Sequence, residues 1–145
     1  LQRISDDFQE QQTEAEQASE DPIESLKQFY AALAEPTVTN TRRTRLLMRE
    51  LLDNNARATN AENWYLREFL ERLIVMVKAI EGLQTLSDEE ALIFAYQLLG
   101  AVNYFLISPA TLSGIFGKDV MQRMSANFSV ELDSLISAKI RAASG

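Results

Sequence analysis

The strongest constraint on this chain is the stretch "SDEEALIFAYQLLGAVNYFLIS", Ser87 to Ser108, where three carboxylates precede 18 residues without a charge. A run of that length approaches the ~18–20 apolar residues needed to cross a bilayer. Wound as a helix, it sets Ala91, Ala95, Leu98, Val102 and Phe105 on one face, with Leu92, Leu99 and Leu106 beside them. Ile93, Phe94 and Ala101 take most of the remainder, so the helix is apolar nearly all round. A peripheral helix of a small monomer carries one apolar stripe. The run is therefore a membrane span, a central core helix, or a helix whose second face another molecule covers. Gln97 and Asn103 weaken the span, because a buried amide without partners costs about 1–3 kcal/mol. Ala91, Ala95, Gly100 and Ala101 would let another helix approach closely. Gly100 costs roughly 1 kcal/mol in helix propensity, which a packing purpose would offset.

The rest of the chain reads as ordinary amphipathic helices. Only 5 Gly and 3 Pro punctuate 145 residues, and no apolar–polar alternation persists as a strand would require. The expected fold class is all-α, a helical bundle domain of about five long helices. "DPIESL" starts one of them: Asp21 can cap, Pro22 suits the first helical position, and Glu24 sits in the first turn. Ile23, Leu26, Tyr30 and Leu33 make its apolar face, with Phe29 alongside, and Pro36 closes it. In "TNTRRTRLLMRELLDNN", Leu47, Met48, Leu51 and Leu52 are the expected buried side, with Arg42, Arg43, Arg45 and Arg49 largely opposite. Thr59 and Glu62 form a capping box for the next helix, where Glu68 and Arg72 make an i,i+4 pair and Gly82 is the expected stop. Ser87 and Glu90 form a second box ahead of the apolar run. Ser108-Pro109 starts a short piece, and a last helix follows, with Lys139 and Arg141 complementing its dipole.

Residues 1–21 carry seven acids against Arg3 alone, whereas the remainder has 14 acids and 13 bases. Leu1, Ile4, Phe8, Ala15 and Ala18 draw a thin helical stripe through this acidic segment. It reads equally as the tail of a connecting helix or as a frayed acidic arm. The nearly neutral body offers no broad basic surface of the kind that phosphate-backbone binding needs.

With no Cys and no His, disulfides and thiolate, imidazole or Cys/His zinc chemistry are excluded. No activated nucleophile with a base in reach can be found, so no catalytic residue is assigned and the chain is not expected to be an enzyme. Neither a metal site nor a cofactor is expected. Asp88, Glu89 and Glu90 point around their helix instead of converging, and capping explains them. The arginine run is read as a solvated face, with an anionic ligand as the alternative. "GIFGK" lacks P-loop spacing. The acceptor pattern Asn127-Phe128-Ser129 falls inside a predicted helix. The absence of Cys suits the cytoplasm, and no basic–apolar–small export pattern opens the chain.

Phe29, Tyr30, Met48, Trp64, Tyr65, Phe69, Met76, Tyr96 and Tyr104 could line a small-molecule cavity, though each alone reads as plain core. Gln97 and Asn103 strengthen the cavity reading, since ligand pockets combine apolar walls with a few placed polar groups. The last helix supplies an apolar side in Met121, Met124, Phe128, Leu132 and Leu135. Paired with Leu98, Val102 and Phe105, this side would meet a second copy in a four-helix, isologous interface.

The succession "DPIESLKQFYAAL", "RLLMRELLDN", "NWYLREFLERLIVMVKAIEG", "LSDEEALIFAYQLLGAVNYFLISP" and a closing amphipathic helix resembles the C-terminal domain of TetR-type transcriptional regulators. The resemblance covers nearly the whole chain from Asp21 onward and rests on helix lengths and helix starts. It implies a homodimer joined through the last two long helices, and a cavity in each subunit for a small, often hydrophobic effector. It also implies a repressor that leaves operator DNA when ligand binds. Residues 1–20 then correspond to the end of a connecting helix, and residues 21–145 to the effector-binding and dimerisation domain. No helix-turn-helix precedes Leu1, so DNA would be read only by a preceding N-terminal domain, and a start at Leu1 fits a piece of a longer protein. Ile4 and Phe8, pushed from near Phe29 and Tyr30, would be the moving part. The alternative is a helical carrier or interaction module that binds a hydrophobic ligand or partner helix, with no DNA role.

Overall fold

A computed structural model describes residues 2–53 and 60–144, with side chains for 3–53 and 66–143. Among the described residues the chain is all-helical: α1 (Gln2–Ala18), α2 (Pro22–Ala34), α3 (Val38–Asp53), α4 (Asn60–Lys78), α5 (Asp88–Ile107), α6 (Pro109–Phe116) and α7 (Lys118–Ser144). The proposed cap Thr59 lies outside the described residues, and Glu62 outside the described side chains.

α2 is the hub, packing against α1, α4, α5 and α7. Its start is local chemistry: the Ile23 amide donates to Asp21 Oδ1 at 3.0 Å, and Pro22 follows the cap. Such a cap stabilises by about 1 kcal/mol. Leu26, Phe29, Tyr30, Leu33 and Ala34 are buried, while Ile23 is half-buried at the margin. The helix ends before Pro36, and its last carbonyls are collected by the next element. Asn40 Nδ2 donates to the Ala32 and Glu35 carbonyls at 2.8 and 2.9 Å. Those are groups that a helix end leaves unsatisfied.

This tie turns α3 differently from the expectation. Its buried residues are Asn40, Arg43, Thr44 and Leu47, an inward face that is mostly polar. Arg43 is thus inside rather than on the solvated side. Leu51 and Leu52, expected to be buried, are 44% and 77% exposed.

The acidic N-terminal segment is a docked helix. Ile4, Phe8 and Ala15 are buried, but Ala18 is exposed. Gln12 Nε2 donates to the Phe69 carbonyl at 3.1 Å. Arg72 of α4 reaches across to Glu16 Oε1 and to the Gln9 carbonyl, both at 3.2 Å, in place of the expected pairing with Glu68. α4 ends at Lys78, and Gly82 serves the following turn with φ of +96°, where a side chain would be strained. The Ser87–Glu90 capping box is present in both directions at 3.1 Å.

α5 is long and apolar enough to cross a membrane, and 50% of its apolar window is buried inside the fold. Ala91, Phe94, Ala95, Leu98, Leu99, Val102, Phe105 and Leu106 face the core. Ile93, Tyr96, Gln97, Gly100 and Tyr104 face outward. Leu98, Val102 and Phe105, expected to meet a second copy, are 2%, 1% and 5% exposed within a single chain and pack into its core. On α7, Met121 and Leu132 are likewise interior. Met124 and Leu135 are on the surface, and half-buried Phe128 stacks on Phe105 with centroids 4.0 Å apart. Alternation of core and surface along an almost uncharged helix leaves no polar marker from which the inward side could be read.

Candidate ligand-binding site

Four helices converge on a cavity of about 230 Å³. α1 contributes Phe8; α3 contributes Leu47, Met48 and Leu51; α4 contributes Leu66, Phe69 and Leu70. From α5 come Tyr96, Leu99, Gly100, Asn103 and Tyr104. The spacings of three and four residues within each set put them on one helical face. The walls are overwhelmingly apolar, and the volume exceeds the ~150 Å³ that holds a benzene ring in an engineered protein cavity.

Polar groups of α3 lie beside two of the lining residues, Asn103 and Phe8. Thr44 Oγ1, itself buried, donates to Asn103 Oδ1 at 3.2 Å, which fixes the orientation of the amide in the lining. One position earlier on α3, Arg43 is only 5% exposed. Its guanidinium carbon lies 4.9 Å from the centroid of the Phe8 ring. Arg43 Nη2 donates to Asn40 Oδ1 at 2.8 Å, whereas Nε is buried with no hydrogen-bond partner. Burial pushes the guanidinium pKa down, opposed by the charge of Asp7 on α1.

Phe8 also stacks on Phe69, which is tilted against Phe29 at 6.0 Å, and Phe29 meets Tyr30 edge-on at 5.2 Å. The Tyr30 hydroxyl donates to the Ala95 carbonyl at 2.7 Å, and burial pushes its pKa up strongly. The cavity wall is thereby continuous with the deepest core.

Of the residues singled out from sequence, Met48, Phe69, Tyr96, Asn103 and Tyr104 come together in this lining. Phe29 and Tyr30 are core behind it, Met76 is buried beside a separate groove with Ser19 and Ser25, and Gln97 points outward from α5. Trp64 and Tyr65 belong to α4 but lie outside the residues whose side chains are described. Phe8 was missed as a site residue, and Arg43, which packs on it, was missed as a buried one. The stripe through the acidic segment pointed to Phe8, but nothing in the run Arg42–Arg49 distinguished Arg43 from its neighbours.

A larger groove of about 430 Å³ follows the outer side of α3 past Thr41, Arg42, Arg45 and Arg49, but it is open to solvent. Among the described residues no group of acids is arranged to hold a metal ion. Comparison of the chain with protein-family models, with curated proteins and with solved structures finds no match.

Proposed function

We propose that this chain is the small-molecule-sensing and homodimerisation domain of a TetR-type transcriptional regulator, a repressor released by its ligand. The observation that carries the reading is Phe8. It belongs to the helix that would lead to a DNA-reading domain, and it is also part of the cavity wall. A ligand that favours one setting of Phe8 over another therefore has the differential affinity that a conformational switch requires. Phe69 packs on both Phe8 and Phe29, which supports the push on α1 from near Phe29 and Tyr30. The outward apolar residue Ile93 of α5, with Met124 and Leu135 of α7, supports pairing of two copies along the last two long helices. In this reading the domain acts in the cytoplasm and meets operator DNA only through a preceding segment.

Native mass spectrometry of the purified chain tests both halves together. The expected result is a dimer that carries a co-purified small molecule, with the molecule lost in Leu99→Trp, which fills the cavity. A folded, empty monomer at micromolar concentration would overturn the reading.

A further inference from the structure

We propose that the cavity takes a small neutral ligand, a single ring carrying one carbonyl group, and that the side-chain amide of Asn103 donates a hydrogen bond to that carbonyl oxygen. The inference rests on the cavity being a ligand site and adds the chemical class of the ligand.

Charge limits the class first. Among the described residues the lining holds no charged side chain, and its side-chain nitrogen and oxygen atoms belong to Asn103, Tyr96 and Tyr104 alone. An ionised ligand would bury its charge unpaired, which is far costlier than burying a neutral one. The direction of the interior polar group limits it next. Tyr96 and Tyr104 are exposed, whereas Asn103 is only 8% exposed. Thr44 donates to Asn103 Oδ1 at 3.2 Å, so the accepting end of the amide is engaged from outside the lining. Nδ2 has no partner among the described residues and, unlike Arg43 Nε, is not sealed within the protein. An amide held this way offers only donors, and the ligand must supply an acceptor. A carbonyl does so without adding a donor that apolar walls would leave unsatisfied. Volume completes the description: about 230 Å³ holds roughly 7–8 non-hydrogen atoms at ~30 Å³ each. A six-membered ring with a ketone or aldehyde group has seven or eight, and its rigidity keeps the ordering cost of binding low.

Benzaldehyde and styrene test this, since both are flat, have eight non-hydrogen atoms and differ only in C=O against C=CH₂. Calorimetric titration of the whole chain gives the ratio of their affinities, benzaldehyde over styrene. Exchanging both partners of a buried hydrogen bond for apolar residues of similar shape can be nearly neutral for folding, so the variant is Thr44→Val/Asn103→Leu. There the ratio should fall about tenfold, about 1.4 kcal/mol. A fall of less than threefold would overturn the role of Asn103. Benzylamine, equal in size but cationic at neutral pH, should bind the wild type at least about tenfold more weakly than benzaldehyde. A smaller difference would overturn the neutral assignment. If styrene alone binds and Leu99→Trp abolishes it, the cavity remains a ligand site although the carbonyl assignment fails. Binding of neither compound overturns the inference, and the co-purified molecule sought by native mass spectrometry then decides separately whether the cavity is a ligand site. A measurement free of substitution guards against misfolding of the variant: the infrared C=O stretch of carbonyl-¹³C benzaldehyde bound to the wild type should lie below its frequency in hexane. A band at the hexane position would also overturn the hydrogen bond.

Discussion

The ring of Phe8 on α1 stacks on that of Phe69 on α4 with centroids 4.4 Å apart and planes inclined by 15°. Arg43 approaches the same Phe8 ring to 4.9 Å. Two groups that close to one ring take its two faces, so Phe8 sits between a helix of the core and the buried cation of α3. Phe8, 2% exposed, is thereby the aromatic anchor of the N-terminal helix, beside buried Ile4, Gln12 and Ala15.

Phe8→Ala removes this contact and opens space on both sides of it. Buried Phe-to-Ala changes cost about 3–5 kcal/mol, and urea unfolding should show a loss in that range. Amide exchange should accelerate along α1 more than along α2. Uniform acceleration in both helices would mean that α1 is not separately anchored by Phe8.

Tyr30→Phe deletes a hydroxyl that donates to the Ala95 carbonyl, and should cost about 1 kcal/mol at neutral pH. Its pH dependence has a definite sign. The folded-state pKa is raised above the unfolded value of about 10. The native state therefore keeps its proton where the unfolded chain loses it, and stability falls as pH rises beyond that value. Melting curves from pH 7 to 11 should show wild type losing stability above pH 10 faster than Tyr30→Phe. Parallel curves would contradict the burial.

Ser87→Ala breaks the capping box at the start of α5 and should cost about 1 kcal/mol, visible as a lower urea midpoint with an unchanged slope. Hydrogen bonds from the Ser87 backbone and side chain, in that order, hold the Glu90 carboxyl below its ordinary pKa. A depressed carboxyl contributes stability above its unfolded pKa and loses it as pH falls through the folded one. The stability gap between wild type and Glu90→Gln should accordingly close on acidification below about pH 4.

Gly100→Ala is expected to stabilise the isolated subunit by about 0.5–1 kcal/mol, since a Cβ there meets nothing within 4 Å. If the position lies against a second copy, the same methyl group should weaken association. Comparing thermal stability with sedimentation on one sample separates the two effects.

The sequence was most informative where structure is made by neighbours in the chain. Asp21-Pro22 and the Ser87–Glu90 pair start helices through bonds within three residues, and both are readable without a fold. Phe69 and Asn103 were recognisable as site residues because an aromatic and an amide stand out on apolar faces. Arg43 was not recognisable as buried, because its burial depends on Asn40 reaching the carbonyls of α2, a contact between helices that periodicity does not encode. α5 misled for the opposite reason. With an apolar residue at almost every position, Leu98 and Tyr96 are equivalent until the neighbouring helices choose a side.

Asn40 ties the first turn of α3 to the end of α2, yet the part of α3 that walls the cavity, Leu47 to Leu51, lies well beyond that tie. At 1.5 Å per residue, the eleven steps from Asn40 to Leu51 make a lever of about 16 Å. A few degrees of tilt at the fulcrum moves the far wall by about an ångström. The position of that wall is thus set from a pair of hydrogen bonds that lie outside the cavity's lining.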